Sequence, residues 1–277
     1  MARTLSKTRF QKGVQCEKAL WLRVHRGELA EPVTESQQWI FDQGHEVGML
    51  ARDLFPGGVE IAEDHMHPEE ALASTARLLK QGATVLYEPA FESGGAFARV
   101  DILAAAGDGT WDLYEVKSGS ALKDVYVTDA AVQAYAVEGA GLPLRTVNVV
   151  RIDTSYVFDG LAYDPRALFA IENVTDMVRE YLPSISGTLA AFQEMLEGPE
   201  PAALVGSRCT HPYPCEFSSY CHSFLPNEYP ITQLPRLSET ALHALIAAGH
   251  TCLLDVPPDF PGLTLVQRES IEVAKAG

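Results

Sequence analysis

Three stretches in the first half of the chain, residues 84–92, 97–105 and 111–118, are strand-like, and within them 99–103 and 111–117 alternate in polarity and are rich in β-branched and aromatic residues. That period of two predicts strands. Ser93-Gly94-Gly95 and Gly107-Asp108-Gly109 join them, so an antiparallel meander is expected. The pattern before them is helical. Residues 8–25 place Phe10, Val14, Leu20, Leu22 and Val24 along a helix closed by Gly27 and Pro32. Thr34, with Gln37 three residues on, predicts an N-cap and a helix to about Phe55, ahead of Pro56-Gly57-Gly58. Its apolar row is Ile40, Gly44, Val47, Ala51 and Leu54, with His45 at the margin. A third helix is expected over 68–81. After the meander come a helix over 127–138, stopped by Gly139 and Gly141, and a strand over 145–153. A strand–helix–strand connection of that length favours a parallel crossover. The expected fold class is α/β, with a mixed sheet flanked by helices. Residues 166–197 read as helix in two pieces split near Pro183, and 237–250 as a short helix after Ser238. The prolines at 257, 258 and 261 read as a linker.

Composition narrows the class. A chain of 277 residues, 47% hydrophobic, fits one large domain or one domain with appendages. No apolar run approaches the ~18 residues of a membrane span, and Met1–Lys7 has no signal-peptide core, so a soluble cytoplasmic protein without membrane contact is expected. Five cysteines, an odd number, argue against a disulfide framework. The net charge of −16 disfavours a nucleic-acid partner at first sight. Residues 1–30 nevertheless carry seven basic against two acidic side chains, while the rest carry 14 against 35. That asymmetry fits a local phosphate-binding surface on an acidic body, and equally a solvated helix face.

The central hairpin carries candidate chemistry. Asp101 lies on one strand, and Glu115 and Lys117, two apart, share a face of the next. A two-residue loop at Asp108-Gly109 would set Asp101 against Val116 and turn Glu115 away. A three-residue loop, with Gly109 left-handed, sets Asp101 against Glu115, with Trp111, Leu113, Leu103 and Ala105 as an apolar wall. Two opposed carboxylates repel, unless a hard cation such as Mg²⁺ or Mn²⁺ lies between them. Removing either carboxylate should then leave the metal-free fold equally or more stable. With a lysine beside it, such an ion serves phosphodiester hydrolysis. The plain alternative is an amphipathic hairpin with solvated charges.

Residues 209–221 place Cys209, Cys215 and Cys221 among prolines and aromatics, a metal-binding pattern whose five-residue gaps exceed those of a zinc knuckle. A fourth thiolate must be Cys16 or Cys252. Cys16, in a basic helix, is the better candidate, and Cys252 reads as a buried core thiol. Four thiolates hold a [4Fe–4S] cluster or zinc, and His211 or His222 can replace a ligand if zinc is bound.

A D…ExK hairpin, a helical Gly44-His45 before it and a helix with Gln133 after it resemble the PD-(D/E)XK nuclease core, a restriction-endonuclease-like α/β fold. One N-terminal cysteine with three near the C-terminus is similar to the iron–sulfur RecB-like nucleases, among them CRISPR-associated RecB-like exonucleases and AddB-type repair nuclease domains. Residues 44–58 and the Cys-x5-Cys-Glu-Phe-x3-Cys run resemble an uncharacterised bacterial branch of that group. The resemblance covers about residues 5–225 and implies a DNA exonuclease acting on single strands or ends in repair, recombination or CRISPR adaptation, with protein partners there. It implies His45, Asp101, Glu115 and the Val116 carbonyl as ligands of Mn or Mg, and Lys117 and Gln133 as catalytic residues. Glu46 is an alternative to His45. Cys16, Cys209, Cys215 and Cys221 would hold the cluster as a staple between the N- and C-terminal segments. Tyr135 departs from the pattern, following Gln133 too closely to share its helical face. The organisation expected is a basic helix over 1–30, a nuclease core over 31–160, a helical and cysteine segment over 161–228 and an extension over 229–277. Two other readings remain, an idle nucleic-acid-binding or adaptor module and a zinc-stapled enzyme acting on another substrate.

Overall fold

The hairpin predicted over residues 84–105 is bent in the middle, and each half joins a different sheet. The computed structural model describes residues 4–276. In chain order its strands and helices are β1 (Leu5–Ser6), α1 (Lys7–Gln15), α2 (Glu17–His25), α3 (Glu35–Ala51), β2 (Val59–Glu60), α4 (Pro68–Lys80), β3 (Val85–Tyr87), β4 (Ala90–Ser93), β5 (Ala96–Arg99), β6 (Ile102–Ala105), β7 (Trp111–Lys117), α5 (Asp124–Gly139), β8 (Leu144–Ile152), α6 (Pro165–Leu168), β9 (Phe169–Asn173), α7 (Thr175–Glu197), α8 (Ser218–His222), α9 (Glu239–Ala247) and α10 (Leu265–Ala276). They form two compact units, one of residues Met1–Val14 with Val33–Pro199, the other of Gln15–Pro32 with Glu200–Gly277.

The first unit holds both mixed sheets. A three-stranded sheet runs β1-β5-β4 and a six-stranded one β2-β3-β6-β7-β8-β9. The bend falls at Glu88-Pro89 on one arm and Val100-Asp101 on the other, where Glu88 N–H donates to the Asp101 carbonyl at 3.1 Å. Proline after Glu88 keeps that residue out of the helical region and removes a ladder donor, which ends the strand. Glu88 takes a positive φ of 56°, an uncommon conformation for a residue with a Cβ.

The β6–β7 register is the one a three-residue loop predicts. Leu103 opposes Leu113 and Ala104 opposes Asp112, and Ala106 N–H donates to the Thr110 carbonyl across Gly107-Asp108-Gly109. Gly109 sits at φ +88° with open space where a Cβ would go. Gly109→Val is therefore expected to lower stability by backbone strain alone, about 1–2 kcal/mol. Urea unfolding checks this, and an unchanged midpoint would refute it.

β8 runs parallel to β7, as the crossover predicts. The crossover helix α5 is rich in alanine and valine and buried on nearly every side, from Tyr126 to Val137. A helix apolar all round belongs inside. Three expectations over the first 200 residues fail. The helix expected over 8–25 breaks at Cys16, whose extended backbone (φ −163°, ψ 115°) separates α1 from α2. Residues 169–173 form β9, pairing antiparallel with β8, instead of helix. α7 runs unbroken through Pro183, which lies on its exposed side, where water can meet the carbonyl left without a donor.

The second unit has a core of its own. Val205, Ile231, Leu234, Leu242, Leu245, Leu253, Val256, Leu263 and Ile271 pack together, so residues 229–276 are folded around apolar contacts. Ser238 caps α9 by accepting from Ala241 N–H, as expected. The proline-rich stretch is a braced turn, for Arg268 donates to the carbonyls of Pro258 and Phe260.

Candidate active site

The bend positions the first candidate. Asp101 follows the last residues of the three-stranded sheet and precedes β6, so its side chain escapes the ladder and its Oδ2 accepts the Val116 N–H at 2.6 Å. Across from it, Glu115 points to the interior from β7 and is 1% exposed. Three donors make four contacts with its carboxylate. Oε1 lies 2.6 Å from Lys117 Nζ and 3.0 Å from Lys7 Nζ. Oε2 takes Gln133 Nε2 at 2.5 Å and Lys7 Nζ again at 3.2 Å. Lys117 is held from its other side by Asp129 Oδ2 at 2.6 Å. Asp129 and Gln133 are four residues apart on α5 and present one face to the sheet.

These contacts split the two carboxyls. Burial, then the charge of Glu115, pushes Asp101 up to about 8, against the pull of Lys7. Burial opposes ionisation of Glu115 too, but Lys117 and Lys7 overcome it and hold the group at about 2. At neutral pH without metal, Glu115 is a carboxylate and Asp101 is protonated, the usual resolution for two acids that share a site. A protonated Asp101 fits the expectation that its removal leaves the metal-free fold as stable. Glu115 is the counter-ion of two ammoniums, so its removal is expected instead to destabilise the fold.

The structure places the other sequence candidates as follows. Gln133 is fully buried against Glu115, and its Oε1 has no hydrogen-bond partner among the described residues. Tyr135 turns elsewhere, packing its hydroxyl end against Gly94. His45 and Glu46 are exposed on α3. The buried side of that helix is Val47, Leu50 and Ala51, packed on Tyr114, Val116 and Ile102, while Ile40 at the expected apolar row is 56% exposed. That rotation leaves the His45 side chain exposed to solvent. Among the described residues no three His, Cys, Asp or Glu side chains stand as a ready-made metal-binding group. Three site residues escaped the sequence reading. Lys7 had only its place in the basic segment to show for itself. Asp129 was readable from its i−4 spacing to Gln133. Glu88 precedes the proline at the bend; its carboxyl is raised by burial against the pull of Arg99 and feels Glu115 as well.

Within the second unit, Cys16, Cys209, Cys215 and Cys221 line one small cavity of about 10 Å³ with Ala19 and Phe217. Cys209 N–H donates to the Gly206 carbonyl and Cys215 N–H to the Cys209 carbonyl, which curls the loop around the thiols. Burial raises the Cys221 thiol, Lys18 opposes this, and Cys209 and Cys16 are close enough to add to the rise. Cys252 is outside this cavity; it is half-buried rather than a core thiol, its Sγ against the Glu228 carbonyl at 3.8 Å.

No family model matches the chain, and no curated protein matches it. Among solved structures it is similar to the crystal structure of LHK-Exo in complex with dAMP, at 13% identity over 70% of this chain and 90% of that one, with a TM-score of 0.40. It is also similar to the crystal structure of SSO0001, at 15% identity over 82% and 89%, with a TM-score of 0.37. Likenesses this distant carry no argument about chemistry. No helix among the described residues is long and apolar enough to cross a membrane.

Proposed function

We propose that this chain is a metal-dependent deoxyribonuclease of the PD-(D/E)XK type that hydrolyses phosphodiesters in single-stranded DNA or at DNA ends. The observation that carries the reading is the buried Glu115 carboxylate between Lys117 and Gln133, with the Asp101 carboxyl and the Val116 backbone beside it. Two carboxyl groups and a backbone carbonyl are hard oxygen donors, and the orphaned Gln133 Oε1 adds a fourth oxygen; this donor set suits Mg²⁺ or Mn²⁺. Asp101, Glu115 and Val116 would hold the ion, which supplies Lewis acidity toward a phosphoryl oxygen and acidifies bound water. Lys117, oriented by Asp129, places a positive charge where phosphate charge develops. Gln133 fixes the Glu115 carboxylate and so the aim of the site.

The proposal extends to a [4Fe–4S] cluster on Cys16, Cys209, Cys215 and Cys221, whose four sulfurs are the donor set such a cluster takes. DNA repair, recombination or CRISPR adaptation, each with its protein partners, is the setting in which a nuclease of this type would act. A second reading, an idle nucleic-acid-binding module, draws on one observation: His45, the expected third side-chain ligand, is exposed, and among the described residues no other side chain completes a ready-made metal-binding group in its place.

Incubating the purified protein with end-labelled single-stranded DNA and Mn²⁺ separates the two. Progressive shortening that EDTA stops supports the nuclease. Retention of DNA without cleavage at any metal supports the idle module. Circular single strands that survive while linear ones shorten would add the exonuclease assignment.

A further inference from the structure

Glu115 has no vacant side. A carboxylate offers about four acceptor positions, and here Lys117, Gln133 and both contacts of Lys7 take them. A divalent cation ligated by Glu115 must therefore displace one of these partners. Gln133 is fixed in the middle of a buried helix, with its Nε2 also 3.3 Å from the Asp129 carbonyl. Lys117 is tied to Asp129 at 2.6 Å. Lys7 has no hydrogen-bond acceptor but Glu115 among the described residues, and its ammonium rides on a flexible four-carbon stem.

The backbone beneath that stem is firmly placed. β1 pairs parallel with β5, Leu5 against Ala96 and Ser6 against Phe97. Leu5 N–H donates to the Gly95 carbonyl at 2.9 Å, and Leu5 and Phe10 are fully buried. Lys7 thus starts α1 beside the strand that leads into Asp101. A two-residue strand at the beginning of the chain delivers a cation to a carboxylate 108 positions away.

Resting on the metal-site reading above, we propose that Lys7 is a positioning residue of the site, a resident counter-cation that holds Glu115 until a divalent metal ion displaces it. Ammonium and metal compete for the same two oxygens, so the pairing of Lys7 and the binding of metal are linked with opposite sign. Both oxygens of the Glu115 carboxylate lie within 3.2 Å of Lys7 Nζ, so the competitor is an ammonium seated on the very atoms the metal needs.

The test is Mn²⁺ affinity, read by calorimetric titration with no substrate present. Lys7→Met should bind Mn²⁺ about tenfold more tightly than the unaltered protein, the factor set by one charge-assisted hydrogen bond that metal no longer has to break. Its melting temperature without metal should fall, and the rise on adding Mn²⁺ should be larger. Lys7→Gln, which keeps a neutral donor, should bind more tightly too and serves if the methionine variant folds poorly. Lys7→Arg should bind no more tightly than the parent, since a guanidinium grips a carboxylate with two parallel bonds. Lys80→Met makes the same change of charge on the exposed face of α4 and should leave the affinity unaltered. Parent-like or weaker Mn²⁺ binding in folded Lys7→Met and Lys7→Gln overturns the competition and leaves the nuclease reading standing. If the parent protein binds no Mn²⁺, the metal site itself falls, and this inference with it.

Discussion

Glu115→Ala is expected to abolish Mn²⁺-dependent cleavage and to destabilise the metal-free protein, whereas Asp101→Asn abolishes cleavage and leaves the fold as stable as before. The loss of activity in each case should be on the order of 10²–10³-fold or more, since each removes a charge or ligand that acts only on the reacting phosphate. The stability effects differ in sign because the two acids are held differently. Glu115 is 1% exposed and neutralises two ammoniums. Without it Lys117 keeps Asp129, but Lys7 loses its one hydrogen-bond acceptor among the described residues. Breaking a buried pair from one side costs about 3–5 kcal/mol, which for a chain of this size is a fall of roughly 10 °C in melting temperature. Asp101 is pushed toward its protonated form by burial and by Glu115, so a neutral amide replaces it closely and can still accept the Val116 N–H. Urea unfolding without metal measures both. Equal destabilisation by the two variants would show that the charge assignment is wrong, and full cleavage by both would remove the active site.

The contrast shows what a sequence can and cannot carry here. The β6–β7 register was half legible: the chain allowed a two- or a three-residue loop, and the three-residue one with Gly109 at positive φ is the one formed, which sets Asp101 beside Glu115. The bend at Asp101 was not legible. Residues 97–105 contain neither proline nor glycine, and only the partner arm, with Glu88-Pro89, contains a breaker. Periodicity reports which residues are buried on average, not the angle at which a helix settles, and α3 turned His45 outward on that account. Lys7 lay beyond any local rule. Its role depends on a parallel pairing between residues 5–6 and 96–97, and such non-local contacts leave no spacing in the chain. β9 was lost for a similar reason: it is an edge strand of five residues that exists by pairing with β8.

Cys16→Ala should bleach the protein and loosen the second unit, while Cys252→Ala should do neither. That unit is assembled from two segments, residues 15–32 and 200–277, which lie in the chain on either side of residues 33–199 of the first unit. Apolar contacts of Ala19 and Leu22 with Phe217 hold them together. So do the Lys18–Glu200 ion pair at 2.8 Å and the hydrogen bond from Glu31 N–H to the Glu216 carbonyl at 2.7 Å. A cluster on Cys16 and the three cysteines of the loop adds a cross-link between positions 16 and 209. In the chain-entropy picture, closing a loop of that length is worth on the order of 5 kcal/mol. Its removal should lower the melting temperature by ~10 °C or more and expose residues 15–32 and 209–221 to amide exchange first. Cys252 Sγ lies against the Glu228 carbonyl, outside the cavity that the other four share. Iron content, absorbance near 400 nm and hydrogen exchange read the two variants. A colourless parent protein that retains one zinc would replace the cluster by zinc, and bleaching by Cys252→Ala but not by Cys16→Ala would reassign the fourth ligand.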